Sequence, residues 1–276
     1  MQTLAKPLYQ VRLLGGLEIQ CGGKVITRFR SRQTAGLFAF LSFHRNKRHL
    51  RETLVEQFWP DAPDLEHGRA SLSVAISSLR SQLEPPGSPH GSVILADARN
   101  LGLNPETIHT DVDAFEDYLD KAKKMTSFKE SLPLLESAVK LYRGPLLTGY
   151  YDNWILDNLE RLRGRYSAAM AQIASLYEGN GELDSAIDWY RQAIQSDEAD
   201  TASLTQLLDL LLKSGREREA VRTYHSVENR LAAIGDAIPH QVQHMVEEAL
   251  SRHPVEPVRK HSVRRGRPRK TPMPSL

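Results

Sequence analysis

A 34-residue spacing in the C-terminal half constrains the fold of this chain more than any other feature. The stretch GELDSAIDWYRQAI aligns with the later stretch GREREAVRTYHSV. Three pairs of identical residues are each 34 positions apart: Gly181 and Gly215, Ala186 and Ala220, Tyr190 and Tyr224. This is the period of stacked helical hairpins, in which glycine ends a helix, alanine permits close helix approach and tyrosine packs between hairpins. Residues 111–252 are therefore predicted to form a helical repeat domain.

Residues 1–110 have shorter and more mixed periods. The stretches YQVRLLG, LEIQ and VITRF, separated by glycine pairs, predict a small antiparallel meander. Three amphipathic stretches follow, from Ser31 to about His44, from Arg51 to Trp59 and from about Asp64 to Leu83. SVIL and LGL then predict a hairpin with its tip at residues 96–100. Three helices followed by a hairpin is the order of a winged helix-turn-helix, so the fold class is mainly α with a small α+β part.

The third predicted helix has two contrasting faces. One apolar stripe, which includes Leu72, Leu79 and Leu83, steps by three and four residues and is expected to pack inward. The opposite face has short or basic side chains: Arg69, Ser73, Val74, Ser77, Ser78 and Arg80. Because no carboxylate lies between His67 and Gln82, this helix could enter a major groove without repelling phosphate. A small α+β domain with an exposed polar face would give the same pattern.

Charge is distributed unevenly along the chain. The formal charge is +4 over residues 1–110, −9 over 111–258 and +7 over 259–276. Basic segments favour a polyanion through counterion release, whereas an acidic middle more naturally meets protein. Solvated charged faces remain the simpler explanation of such runs.

The last segment, residues 253–276, loses periodicity and is predicted to be a disordered basic tail. Within it, Arg265, Gly266, Arg267 and Pro268 have the form of an AT-hook. Such a backbone is narrow enough for a minor groove, where the two arginines would extend into A·T-rich sequence. A generic polybasic tail that contacts phosphates, or is simply solvated, is the alternative.

Several classes of function are disfavoured. The single Cys21 excludes an internal disulfide and a four-cysteine zinc site. His240 and His244 are four residues apart, but Gln241 stands where the zincin signature requires glutamate, so no metal site is expected. The sequence also has no phosphate-binding glycine-rich loop with GKS or GKT and no convergent set of catalytic groups, so we expect no cofactor and no enzymatic activity. The chain lacks a membrane-spanning apolar run and a signal peptide, so we expect a cytoplasmic protein.

An ordered series of motifs resembles regulators of the antibiotic regulatory protein (SARP) type. The motifs are LLGGLEI, LVEQFW, RASLSVAISSLRSQL, TDVDAFEDYL, LYRGPLL and LAAIGDAIP. The family joins an OmpR-type winged helix to a bacterial transcriptional activator domain of tetratricopeptide-like helices. The resemblance covers more than four-fifths of the chain, from Val11 to about Pro239.

The resemblance implies roles for individual side chains. Arg69 and Arg80 would contact phosphates, Ser73, Val74 and Ser78 would lie near base edges, and Arg99 would lie in the wing. This chain has Ala75, Ser77 and Ser78 where several relatives have arginine or histidine, which weakens direct base readout. The wing also departs from the family's more common Gly-aromatic pair.

The resulting hypothesis is a sequence-specific DNA-binding transcriptional activator. The resemblance implies binding as a homodimer to direct repeats near promoters. Residues 111–252 are expected to supply the dimer contacts and to touch RNA polymerase or an effector, and the protein is expected on the nucleoid when DNA is bound. Two alternatives stay open. The first is a protein-interaction adaptor that uses the helical repeats, and the second is an architectural binder of A·T-rich DNA led by the basic tail.

Overall fold

The computed structural model describes residues 8–84, 86–89, 91–197, 200–233 and 235–252. The helices are α1 (Arg32–Phe43), α2 (Arg51–Phe58), α3 (Leu65–Leu83), α4 (Asp111–Ala122), α5 (Phe128–Leu141), α6 (Asn153–Gly179), α7 (Leu183–Ser196), α8 (Thr201–Lys213), α9 (Glu217–Ala233) and α10 (His240–Arg252). The strands are β1 (Tyr9–Arg12), β2 (Glu18–Cys21), β3 (Lys24–Ile26), β4 (His49–Leu50), β5 (Ile94–Ala96), β6 (Asn100–Leu103) and β7 (Ile108–Thr110). This order confirms the predicted winged helix followed by a helical repeat region. Among the described residues, no helix is long and apolar enough to cross a membrane.

Two small sheets frame the three N-terminal helices. The first has the strand order β3-β2-β1-β7, in which the predicted antiparallel meander is confirmed and β7 is added parallel to β1. The second has the order β4-β6-β5 and contains the predicted wing hairpin, with Leu95 paired to Gly102. The sequence did not predict β4 or β7, because each has only two or three residues and pairs with a distant segment.

The three helices begin where the sequence indicated, and side-chain caps define the first turns of α1 and α3. Ser31 Oγ accepts a hydrogen bond from the Thr34 amide at 3.1 Å at the start of α1. Asp64 Oδ1 accepts one from the His67 amide at 2.9 Å at the start of α3. Each satisfies an amide that has no partner within its own helix.

The described residues fall into two compact units, divided between Leu210 and Leu211. In the first unit, one hydrophobic core extends from the winged helix into α4, α5 and α6 without a break at residue 110. Asp111 contributes to this continuity, because its carboxylate accepts hydrogen bonds from the Leu13 and Leu14 amides at 2.8 and 3.0 Å. Burial raises the pKa of Asp111 to about 6, although these hydrogen bonds oppose the rise. The predicted boundaries at 110 and 252 stay predictions.

The two aligned segments of the 34-residue repeat have the same local structure, each within its own unit. Gly181 and Gly215 both have positive φ, at 83° and 71°, and precede α7 and α9. The alanines five residues later, Ala186 and Ala220, are fully buried. The tyrosines are also buried, as packing residues of the helical hairpins must be. The repeat is therefore confirmed as a structural one.

Candidate nucleic-acid interface

Helix α3 presents one face to the core and the other to solvent. Its buried residues are Gly68, Leu72, Ala75, Ile76, Leu79 and Leu83, which confirms the predicted apolar stripe. Gly68 lies so close to α2 that a Cβ atom there would be 2.3 Å from Val55 Cγ1. This close approach fixes α2 and α3 as a helix-turn-helix pair.

Four of the six α3 residues predicted to face DNA are exposed: Arg69, Ser73, Val74 and Ser77. The other two, Ser78 and Arg80, are half-buried at the edges of the exposed face. Ala70 and Ser81 are exposed on the same face, and the sequence did not single them out because neither carries a distinctive group. The interface thus presents small side chains at its centre.

The two α3 arginines predicted to contact phosphate are each paired with a carboxylate. Arg69 forms a hydrogen-bonded ion pair with Glu52 on α2, and both side chains are exposed. Arg80 Nε lies 3.6 Å from Glu84 Oε2, in a pair that is mostly buried. Because Glu84 Oε1 also accepts hydrogen bonds from the Val93 and Ile94 amides, it anchors the end of α3 to the wing.

Asp97 organises the tip of the wing. Its Oδ1 atom accepts hydrogen bonds from the amides of Arg99 and Asn100 at 2.8 and 2.7 Å, and these bonds lower the pKa of the carboxyl group. Its Oδ2 atom accepts a hydrogen bond from Arg48 at 3.1 Å. The turn therefore holds Arg99 exposed at the tip, where the sequence placed it.

Arg51 is a residue of this surface that sequence reasoning missed. Its guanidinium donates hydrogen bonds to Ser73 Oγ on α3 at 3.2 Å and to the Asp97 carbonyl in the wing at 3.4 Å. Its amide also donates to the Arg99 carbonyl at 2.8 Å. Arg51 thus connects the exposed face of α3 to the wing. The available signal was the basic stretch that precedes the LVEQFW motif.

The Ser73 hydroxyl is already engaged. Besides the contact with Arg51, Ser73 Oγ donates to the Arg69 carbonyl at 2.8 Å, as a serine one helical turn away can do. A contact from Ser73 to a base edge would use the remaining lone pair or replace one of these bonds.

The AT-hook-like residues Arg265, Gly266, Arg267 and Pro268 lie outside the described residues. Within the described ranges, no three histidine, cysteine, aspartate or glutamate side chains come together as metal ligands. His240 lies 3.1 Å from Gln243 Oε1 through its Nδ1 atom. The absence of a metal, a cofactor and enzymatic activity stays an expectation.

Comparisons with known proteins agree with this arrangement. The family described as the bacterial transcriptional activator domain matches residues 110–239. A structure of Mycobacterium tuberculosis EmbR in complex with a low-affinity phosphopeptide is 21% identical and superposes with a TM-score of 0.71, covering 91% of this chain and 67% of that one. At this identity the likeness shows a shared fold.

A second structure is the C-terminal tetratricopeptide-containing domain of a putative FK506-binding protein from Plasmodium falciparum. It is 14% identical with a TM-score of 0.36 and covers 51% of this chain and 89% of that one. No curated protein matches the chain in sequence. Residues 110–239 match the bacterial transcriptional activator domain family, and with the winged helix that precedes them the chain has the domain arrangement that its resemblance to SARP-type regulators implies.

Proposed function

We propose that this protein binds promoter DNA in a sequence-specific manner through α3 and the wing, and activates transcription from there. Because residues 110–239 match the bacterial transcriptional activator domain, we expect in general that the protein acts in transcription. The specific proposal is that the exposed face of α3 enters the major groove while Arg99 reaches the adjacent backbone or minor groove.

The observation that carries the proposal is the composition of the exposed face of α3. Between residues 69 and 81 this face has small, hydroxyl or basic side chains and no carboxylate. Three arginines lie beside this face. Arg51 is on α2, Arg99 is at the tip of the wing, and Arg48 contacts the wing through Asp97. A helix with such a face can approach base edges closely, while the arginines around it reach the phosphates.

The first test is a selection of bound genomic fragments with the purified full-length protein. Enrichment of a repeated motif beside promoters is the expected result, followed by tight binding of the best fragment across a salt series. Recovery of only A·T-rich DNA without a phased repeat would favour the architectural alternative. No enrichment at all would overturn DNA binding and favour the adaptor.

A charge variant on the exposed face tests the role of α3 directly. V74E/S77E places two carboxylates on exposed positions of α3, where they would repel phosphate. Q192E/Q195E is the matched control, because it adds the same charge on exposed positions of α7. We expect V74E/S77E to abolish binding to the selected fragment and the control to bind as the wild type does. Equal binding by all three proteins would exclude α3 as the reading element.

Contact with RNA polymerase and dimerisation on direct repeats are the finer parts of the proposal. Both are supported by the resemblance to SARP-type regulators and by the activator domain at residues 110–239. Transcription with purified polymerase from the selected promoter should increase when the protein is added. Removal of one of the two repeats should reduce both occupancy and transcript. Such a role would place the protein in the cytoplasm, on the nucleoid.

A further inference from the structure

A run of positive charge without a carboxylate lies ahead of α2. Between Glu18 and Glu52 the sequence has eight lysines and arginines and no aspartate or glutamate. Two of them, Arg28 and Arg30, lie in the segment that joins β3 to α1, and both are exposed. This segment was not part of the interface that the sequence predicted.

Two contacts between the exposed arginines fix the segment against the helices of the winged helix. Phe29, which lies between them, stacks on the buried Phe38 with ring centroids 6.0 Å apart. Gln82 on the last turn of α3 donates a hydrogen bond to the Arg28 carbonyl at 3.2 Å. Arg28 is therefore held beside the C-terminal end of α3.

Arg30 borders the same helix nearer its N-terminal end. It lines a cleft of about 860 Å³ together with His67, Ser71 and Val74 of α3. Glu52 and Arg51 instead contact Arg69 and Ser73, on the other edge of the exposed face of α3. Basic side chains thus lie along both edges of the exposed face, with Glu52 on one edge and Asp61 in the cleft on the other.

The arginines on the two edges differ in their partners. Arg69 and Arg48 are ion-paired with Glu52 and Asp97. Within the part of the chain that the structure describes, Arg28 and Arg30 form no ion pair and no side-chain hydrogen bond. An unpaired guanidinium can take a phosphate without first losing a carboxylate, so these two are the better placed to release counterions.

Arg32, the next basic residue and the first of α1, behaves differently. Its guanidinium donates a hydrogen bond to the Gly149 carbonyl at 2.6 Å and lies over the Tyr150 ring, 5.3 Å from its centroid. Arg32 therefore holds the segment before α6 in place. Arg28 and Arg30 are the two basic side chains between β3 and α1 that remain for a ligand.

We propose that Arg28 and Arg30 bind the phosphodiester backbone of the DNA strand that passes along this edge of α3. The inference rests on the proposed function, since it requires α3 to lie in the major groove. Two phosphate contacts on one edge and those of Arg51 and the wing on the other would fix α3 in the groove independently of sequence. This supplies affinity that the small side chains at the centre of α3 do not.

The test compares three double variants of the full-length protein on the selected fragment and on an unrelated duplex. R28Q/R30Q removes both charges, R28K/R30K retains them, and K123Q/K124Q removes two exposed charges after α4. Each phosphate contact contributes about 0.9 to the slope of log K against log salt, so R28Q/R30Q should weaken binding up to about 60-fold at 0.1 M salt. The loss should be similar on both duplexes, and the slope should fall by up to about 1.8.

R28K/R30K should retain most of the affinity, and K123Q/K124Q should bind nearly as the wild type does. If R28Q/R30Q binds no more weakly than K123Q/K124Q, the inference is wrong while the proposed function stands. A loss confined to the selected fragment would also overturn it, because phosphate contacts do not discriminate between sequences. If the wild type binds neither duplex, the proposed function itself fails.

Discussion

The guanidinium of Arg69 on the exposed face of α3 is ion-paired with the carboxylate of Glu52 on α2. Both side chains are more than half exposed, at 51% and 61%, so the pair contributes only about 0 to 1 kcal/mol to stability. Its larger effect is electrostatic, because it offsets one positive charge where DNA is proposed to bind.

Replacing Glu52 should therefore strengthen DNA binding. E52Q leaves Arg69 free to take a phosphate, and one additional contact is worth up to about eightfold in affinity at 0.1 M salt. R69Q should weaken binding by a similar factor because it leaves the Glu52 carboxylate unpaired, and E52Q/R69Q should bind more nearly as the wild type does, since the site is then neutral again. Titration of the selected duplex at several salt concentrations measures these effects. Weaker binding by E52Q would show that the ion pair positions Arg69 for DNA rather than restraining it.

The contact between Gly68 and Val55 should make α3 intolerant of a side chain at that position. A Cβ atom at residue 68 would lie 2.3 Å from Val55 Cγ1, and a buried β-branched side chain cannot move away easily. Overpacking of this kind costs about 1 to 3 kcal/mol and outweighs the gain of about 1 kcal/mol from replacing a helical glycine. G68A should lower the melting temperature and V55A/G68A should recover part of the loss.

A second helical glycine provides the control for that experiment. At Gly164 in α6, a Cβ atom would have no neighbouring atom within 4 Å outside its own helical turns. G164A should therefore leave the protein unchanged or stabilise it by up to about 1 kcal/mol. Equal melting temperatures for G68A and G164A would contradict the close α2–α3 contact.

Local signals explain why much of the fold could be predicted from the sequence. Asp64 marks the start of α3 because its carboxylate caps the first turn, and the alternation of SVIL and LGL produces the wing hairpin. Ala186 and Ala220 are buried at matching points of the repeat because helix packing requires a small residue there. These features depend on neighbours in sequence or on a strict period.

The site was harder to predict because its contacts are long-range. The contact between Arg69 and Glu52, which is seventeen residues earlier, depends on how α2 crosses α3. The two contacts of Arg51, with Ser73 and with the Asp97 carbonyl, depend on the position of the wing. Sequence pattern identifies which side of α3 is exposed, but only the fold determines which basic side chains already have partners.

Trp154 should be important for stability, because it attaches the start of α6 to the winged helix. Its ring lies edge-on to Phe40, with centroids 5.3 Å apart, and 5.5 Å from the ring of Phe43. Removing a half-buried tryptophan from such a cluster should lower the free energy of unfolding by about 2 to 3 kcal/mol, below the roughly 3 to 5 kcal/mol typical of a full core position. Thermal unfolding followed by circular dichroism compares W154A with Y151A, which should change little because Tyr151 is 75% exposed. Similar melting temperatures for the two would contradict this role.

His44 should make this cluster sensitive to acid. The ring lies among Phe40, Phe43, His49 and Trp154, and burial, with a smaller effect of His49, lowers its pKa from 6.5 to about 4. Because the unfolded chain takes up the proton first, the free energy of unfolding should fall as pH drops from about 6.5 to about 4.

The size of this effect is limited, because the half-buried ring is partly screened by solvent; about 1 to 2 kcal/mol is expected. Chemical unfolding at pH values of about 7, 5.5 and 4.5 compares the wild type with H44Q, which removes the titrating group. Asp111 acts in the opposite direction, since its pKa is raised to about 6 and its protonation favours the folded state, but it is present in both proteins. As the pH falls, the wild type should therefore lose more free energy of unfolding than H44Q does. A difference that stays constant across the three pH values would show that His44 does not titrate in this range.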